Sequence, residues 1–267
     1  MKRGNGLTDC HVHIERGPYT AAWTSEFVKT AQARGIGTLY LLEHSHRFVE
    51  FAPLYTSMCA FSPEQKAWFS RRNALRLSEY AAFVECMRAL DWPIRLRFGL
   101  EICYEPGQEA LIRSLTADGP FDFLTGSVHW VDGFAFDHHP EWWEGVDVDR
   151  TFRRYFALTE QLVASGLFTG LGHPDLIRLY GHAPSFDPSG AYLRIAAALR
   201  GADMYAEQNG GAYLRGVAAA PGLQPDFLRV LQEAGVRLLT ASDAHRPEDV
   251  GAHVAELSGR TECLKEE

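Results

Sequence analysis

The chain has 267 residues, 46% of them apolar and 22% charged, with a formal charge of −8 at pH 7. That length suits one α/β barrel or two small domains, and the acidic balance argues against a nucleic-acid binder, which needs a basic face; a small anionic partner stays open, because bound cations reverse the field locally. Five cysteines at 10, 59, 86, 103 and 263 include no C-x-x-C pair, no apolar run is long enough to span a membrane, and Lys2 and Arg3 have no apolar stretch behind them to act as a secretory signal, so the expected setting is a reducing cytoplasm.

Short apolar runs alternate with longer amphipathic ones. The first expected strand, Leu7–Val12, carries His11 and leads into His13, and a helix follows over Ser25–Ala33. Thr38–Leu42 is the second strand, with His44 just after it. Ser45–Phe61 reads as a long loop, and Ser62-Pro63-Glu64 opens a helix expected to run to about Leu90, with Ser62 as N-cap and Pro63 in the first turn. Leu96–Ile102 is the third strand and holds Glu101; a helix over Gln108–Thr116 leads to the fourth, Phe121–Ser127, and to His129. Beyond a second long loop, Asp132–Val148, come a helix over Asp149–Ser165, the strand Phe168–Gly172 with His173 after it, and a helix over Ser189–Leu199. The strand Met204–Gln208 contains Glu207 and ends at Asn209, and a helix over Pro225–Ala234 follows. Arg237–Ala241 is the last strand, trailed by Asp243, His245 and a helix over Pro247–Leu257. Glycines 35, 166, 201 and 235 fall where helices need left-handed caps. Seven strand-helix alternations predict a mostly parallel sheet, and a barrel rather than an open one, in a single domain over residues 1–267.

Every expected strand delivers a ligand-type residue at its C-terminal end, the end at which parallel β/α barrels collect their chemistry. In His11-Val12-His13 the two imidazoles, two residues apart on an extended segment, share a face and can reach one cation. Asp243-Ala244-His245 repeats the arrangement with a carboxylate. The candidates are His11, His13, His44, Glu101, His129, His173, Asp243 and His245, eight in all, where a catalytic zinc needs about three protein ligands. Two or three divalent metals are therefore expected, Zn, Fe or Mn by donor type, with Glu101 as a bridge. Metals about 3.5–4 Å apart form a clamp suited to in-line displacement at phosphorus. One such histidine alone is more often a hydrogen-bonded core residue; the convergence of eight is what carries the reading. Cys10 and Cys103 read as small buried apolar residues. His46, His138, His139, His182 and His253 read mainly as loop or surface residues, with His46 able to line a pocket; Trp130, Trp142 and Trp143 as loop packing; Arg71, Arg72 and Arg76 as an exposed helix face. Arg215 reads equally as a phosphate ligand or a solvated side chain.

Asp9-Cys-His11-Val-His13, Glu43-His44-Ser45, Gly99-Leu-Glu101, Gly126-Ser-Val-His129, Gly172-His173-Pro-Asp175-Leu-Ile and Ser242-Asp243-Ala-His245-Arg-Pro-Glu-Asp together resemble the motifs of the polymerase-and-histidinol-phosphatase (PHP) superfamily, from Asp9 to about Gly251. Gly126-Ser-Val-His with Phe136-Asp137, the His-Pro-Asp-Leu-Ile run and Glu207-x-Asn209 are most similar to the monofunctional histidinol-phosphate phosphatases. The resemblance implies a distorted, TIM-like (β/α)7 barrel, two or three divalent metals on the eight residues above, and hydrolysis of a small phosphorylated metabolite, L-histidinol phosphate, in histidine biosynthesis. Charge and hydropathy predict no nucleic-acid or membrane partner, and oligomeric state is open; another phosphomonoester, or a phosphodiester, is the alternative substrate. Within this reading Asp175 is the expected general acid, Asp9 orients a ligand imidazole or a nearby backbone group, and Glu207, Asn209 and Arg215 meet the substrate, Glu207 at its amine. Two departures stand out: after His13 only Glu15 can supply the further ligand the family usually carries, and Asn209-Gly-Gly replaces a pattern with Thr after the Asn.

Overall fold

The computed structural model describes residues 6–262, so the two terminal tails, with Lys2 and Cys263, lie outside the described residues. Seven strands, β1 (Leu7–His13), β2 (Ile36–His44), β3 (Arg95–Cys103), β4 (Phe123–Ser127), β5 (Gly170–Leu171), β6 (Tyr205–Asn209) and β7 (Leu238–Ala241), lie side by side in chain order, every neighbouring pair parallel. A parallel pair needs a crossover, and helices supply it: α1 (Ala21–Ala33) after β1; α2 (Thr56–Phe61), α3 (Pro63–Ser70) and α4 (Leu77–Arg88) after β2; α5 (Glu109–Thr116) after β3; α6 (Val148–Ala164) after β4; α7 (Ser189–Gly201) after β5; α8 (Gly211–Leu214) and α9 (Pro225–Glu233) after β6; α10 (Val254–Glu262) after β7. The outer strands meet at their C-terminal ends, where Val12 bridges Ala244 and the His13 N–H donates to the Ala244 carbonyl at 2.8 Å. The result is the expected α/β architecture, a nearly closed (β/α)7 barrel of TIM-like form. No helix among the described residues is long and apolar enough to cross a membrane.

Two apolar layers hold the barrel. The larger lies between sheet and helices and takes in Phe27 and Ala31 of α1, Tyr80 and Val84 of α4, and Phe152 and Leu162 of α6, all fully buried or nearly so. Each large side chain withdrawn from water contributes about 1.5–3 kcal/mol. The smaller layer plugs the interior with Cys10, Tyr40, Leu42, Phe123, Tyr205 and Ala241. The Tyr205 ring lies where a Cβ on Gly170 would stand, so β5 needs a glycine there, and the Tyr205 hydroxyl pairs with Thr125 Oγ1 at 3.0 Å. Strict alternation would put Cys10 and Val12 on one face, yet Cys10 packs inside the barrel and Val12 outside it. The register shift between Asp9 and Val12 accounts for this: an extra residue in the strand turns the following side chains, so that Cys10 plugs the interior and His11 and His13 still face the rim.

Three expected elements differ. The long helix from Ser62 is broken into α3 and α4, because residues 71–76 form a turn docked on the chain after β2. There Asn73 Nδ2 donates to the carbonyls of His46 and Phe48 at 3.0 and 2.8 Å. Residues 45–61 are not an open loop: 3-10 turns and α2 bury Phe48, Phe51, Leu54 and Tyr55 as one wall over the rim. The last expected helix is a 3-10 turn over Pro247–Asp249 followed by α10, since the Gly251 N–H is drawn to Asp9 Oδ2 at 2.8 Å. Gly35, Gly166 and Gly235 take the left-handed conformation expected of them, whereas Gly201 stays helical and Asp203 takes that role.

Candidate metal centre

The strand ends bring the eight candidates to one rim. Glu101, at the end of β3, is the hub. Its Oε1 lies 2.8 Å from His129 Nε2 and 3.0 Å from His173 Nε2. Its Oε2 lies 2.8 Å from His44 Nδ1, 3.4 Å from His11 Nε2 and 3.5 Å from His13 Nε2. Asp243 Oδ1 stands 3.5 Å from His13 Nε2 and 3.8 Å from His11 Nε2, and His245 Nδ1 is 3.8 Å from that same oxygen. The His13 ring is stacked between those of His44 and His245, with centroids 3.9 and 4.2 Å away.

This packing makes little sense as hydrogen bonding alone. The Nε2 atoms of His11 and His13 face each other at 3.0 Å, and among the described residues the buried Glu101 Oε2, His13 Nδ1 and His173 Nδ1 make no well-aligned hydrogen bond. Buried polar atoms without partners are rare and costly, whereas a shared cation would satisfy converging lone pairs. Three triads lie close enough for one ion each: His13, His44 and His245; His11, His13 and Asp243; His11, Glu101 and His173. The donor set of neutral imidazole and carboxylate suits Zn, Fe or Mn. Charge follows the same pattern at Glu101, Asp243 and His13. Burial would raise the Glu101 carboxyl, but His44, His11 and His129 hold it well below the usual carboxylate range. Burial opposes the charge on Asp243 too, yet Arg215 and the nearby imidazoles keep it well below normal. Burial, then His44 and His245, push His13 well below an ordinary imidazole, toward the neutral form that binds metal.

Around this hub sit groups that fix the rings. Glu207 is fully buried, its Oε1 2.7 Å from His11 Nδ1 and its Oε2 accepting from the His173 N–H at 3.1 Å and from Asn209 Nδ2 at 3.0 Å. Asp137 Oδ2 lies 2.6 Å from His129 Nδ1. Carboxylates on the far nitrogen select the tautomer that leaves Nε2 free. Asp9 touches no imidazole; it takes the backbone alternative, accepting from the N–H and hydroxyl of Ser242 at 2.9 and 2.6 Å and from Gly251. Burial raises Asp9 to about 6 against the pull of those donors. His173 and Asp243 both carry positive φ, 29° and 55°, a strained backbone for residues with a Cβ that must be held by its surroundings. Asp243 also explains the second glycine of Asn209-Gly-Gly, because its carboxylate occupies the place of a Cβ on Gly211.

The rim opens into a cavity of about 910 Å³ lined by Trp68, Trp130, Tyr180, His138 and Arg215, among others. Arg215 Nη1 reaches Asp243 Oδ2 at 3.1 Å. Several expectations change here. Asp175 does not line the cavity; its carboxylate turns away to accept from the Gln224 N–H at 2.8 Å. Glu207 and Asn209 do not line it either, because the His11 ring and the His173 and Gly211 N–H groups use their polar atoms. Arg71, Arg72, His138 and His139 do line it, as do His46 and Trp130; both arginines, on the turn after α3, are exposed as expected while bordering the cavity. Glu15 Oε1 lies 3.8 Å from His245 Nε2, within reach of the rim. Trp143 is packing, with His182 stacked on it at 4.1 Å. Asp137 is a ring-orienting group that sequence reasoning misses: the Phe136-Asp137 pair is recognisable, but its spacing of eight residues from His129 matches no regular element.

A parallel barrel whose strand ends gather imidazoles and carboxylates around a buried hub defines a class of α/β-barrel proteins with a site able to hold divalent metal. The PHP domain family matches residues 9–210, and the chain belongs to that family. A probable histidinol-phosphatase of Deinococcus radiodurans is 27% identical over 259 residues, covering 94% of this chain and 91% of the relative. Another, from Schizosaccharomyces pombe, is 27% identical over 172 residues, 59% of this chain and 56% of that one. The hisK protein of Listeria monocytogenes superposes with a TM-score of 0.74 at 18% identity, over 93% of this chain and 99% of its own. The histidinol phosphate phosphatase of Lactococcus lactis, solved with zinc, L-histidinol and phosphate, gives 0.68 at 18% identity, over 96% of this chain and 94% of its own. At such identities the structural likeness speaks for the fold.

Proposed function

We propose that the chain is a metal-dependent phosphomonoesterase and that L-histidinol phosphate is its substrate. The observation that carries the metal is the crowding of five imidazoles on the two oxygens of Glu101, one of them otherwise unpartnered. His11, His13, His44, Glu101, His129, His173, Asp243 and His245 would hold two or three divalent ions, with Glu15 completing the set beside His245. Such ions supply Lewis-acid stabilisation of charge on phosphoryl oxygens. The chain itself does the rest: Glu207 and Asp137 keep His11 and His129 in one tautomer, and Arg215, anchored on Asp243, offers its remaining N–H groups to a phosphate oxygen. The substrate is suggested by what the Deinococcus radiodurans relative is named for and by what the Lactococcus lactis structure contains. With Glu207 engaged, Asp249 is our candidate partner for the substrate ammonium: it lines the cavity and makes no side-chain hydrogen bond or ion pair among the described residues.

The test is phosphate release by the purified protein loaded with Zn, Mn or Fe, on histidinol phosphate, sugar phosphates, nucleotides and a phosphodiester. The proposal predicts turnover of histidinol phosphate above all others, abolished by a chelator. Preference for a different monoester would overturn the substrate, and preference for the diester would overturn the reaction class.

A further inference from the structure

The protein carries a net charge of −8, yet five arginines line its cavity: Arg16, Arg71, Arg72, Arg215 and Arg246. Three of them have an acid beside them. Arg215 Nη1 lies 3.1 Å from Asp243, Arg16 Nε 3.7 Å from Glu15, and Arg246 Nη1 3.9 Å from Glu248. Arg71 and Arg72 differ. Arg76, a few residues on, has Glu50 at 3.8 Å, but neither Arg71 nor Arg72 has a carboxylate within 4.0 Å among the described residues. Their charge is uncommitted, and it faces the same cavity as the histidine and carboxylate cluster.

Both arginines are exposed, but the turn that carries them is fixed. The Arg72 guanidinium lies 4.6 Å over the Trp68 ring, and its Nη1 donates to the Trp68 carbonyl at 3.3 Å, which leaves most of its five N–H donors free. The turn that carries both arginines is tied to the segment that follows His44. Asn73 Nδ2 holds the His46 and Phe48 carbonyls, Ala74 and Leu75 donate to the Arg47 carbonyl at 3.1 and 2.9 Å, and Val49 donates back to Leu75 at 2.9 Å. The backbone that carries both guanidiniums is thereby held at a set position relative to the rim. Capping the end of α3 would account for one such arginine; it does not account for two unpaired charges lining a cavity.

We propose that Arg71 and Arg72 form a second anion-binding station at the mouth of the cavity, separate from the metal cluster, which takes the dianionic phosphate of an ester as it enters and inorganic phosphate as it leaves. The inference rests on the phosphomonoesterase reading above. Guanidinium forks pair with phosphate oxygens two at a time, and a cationic cleft with low-dielectric walls concentrates an anion and raises its on-rate by about 10-fold or more. In an acidic protein that would otherwise repel a dianion, this station offsets the long-range field.

The test compares wild type, R71Q/R72Q, the charge-keeping R71K/R72K and the outlying control R76Q, each metal-loaded and checked by circular dichroism. Steady-state kinetics on histidinol phosphate and p-nitrophenyl phosphate, and calorimetric titration with inorganic phosphate, are run at low salt and at about 0.5 M NaCl, where charges are screened beyond a few ångströms. For R71Q/R72Q we expect kcat/KM to fall about 10-fold at low salt with kcat moving far less, phosphate to bind more weakly by a similar factor, and both deficits to shrink at high salt. R71K/R72K should keep most of wild-type behaviour, and R76Q all of it. Wild-type phosphate affinity in R71Q/R72Q at low salt would overturn the proposal, as would a deficit equal at both salts. If R71Q/R72Q fails to fold, single R71Q and R72Q variants carry the same comparison. Should wild type release phosphate from no ester, the phosphomonoesterase reading falls, while the phosphate titration still decides the arginines.

Discussion

Replacing Glu207 with Gln keeps the side-chain shape and removes its charge, and the hydrogen bonds around it dictate the outcome. Oε2 accepts from the His173 N–H and from Asn209 Nδ2. Two donors demand an oxygen at that point, so the new amide nitrogen falls opposite His11 Nδ1, which sits 2.7 Å from Oε1. An amide N–H only donates. Either two N–H groups confront each other, or His11 moves its proton to Nε2, the nitrogen that faces Glu101 and Asp243. Both arrangements spoil the ring as a ligand. Losing one charge-assisted hydrogen bond in a buried site costs about 1.5–3 kcal/mol, and at about 1.4 kcal/mol per tenfold metal affinity should drop about 10- to 100-fold, the span typical of outer partners of metal-binding histidines. Competition against a chromophoric zinc chelator measures this directly, with circular dichroism to confirm the fold. An E207Q protein that holds zinc as tightly as wild type would refute the tautomer argument.

Asp175→Asn should lower turnover of an alkyl phosphate and of p-nitrophenyl phosphate by the same modest factor, because Asp175 bonds Gln224 and stands off the cavity; a selective loss on the alkyl ester, whose leaving group needs a proton, would restore it as general acid. Gly170→Ala forces a methyl into the Tyr205 ring at the barrel's centre, and overpacking of this kind costs about 1–3 kcal/mol. Thermal melting should register a fall of about 2–4 °C for each kcal/mol lost, and an unchanged Tm would show that the inner plug has slack. Chelation of the bound metal should also lower Tm, since a cation held only by the folded chain stabilises it by about 4 kcal/mol at a thousandfold excess over Kd; equal melting temperatures with and without chelator would argue against a resident ion.

The rim is legible in the sequence because its signal is periodic: strand after strand ends on a His, Asp or Glu, and barrel topology converts that pattern into proximity. The fold comes through for the same reason, with each expected strand overlapping the observed one. Other features depend on contacts that periodicity does not encode. Glu207 looks like one more strand-end acid facing substrate, and only the geometry gives both its oxygens to His11, His173 and Asn209. Asp175 follows a candidate ligand by two residues, but the 3-10 turn after it, Leu176–Arg178, swings its carboxylate toward Gln224. Arg71 and Arg72 are exposed, as the sequence suggests, but the break after α3 that brings them to the edge of the cavity is set by Asn73 bonding the carbonyls of His46 and Phe48.

The catalysis proposed here requires cations seated among His11, His13, Glu101 and Asp243. Anomalous diffraction from metal-loaded crystals, collected above and below the zinc and iron edges, tests this most directly. We predict two or three peaks, at least one within about 2.0–2.2 Å of a Glu101 oxygen and each touching a His Nε2 or Nδ1 from a different strand end. Peaks elsewhere on the molecule, or none in crystals grown with metal in excess, would contradict it.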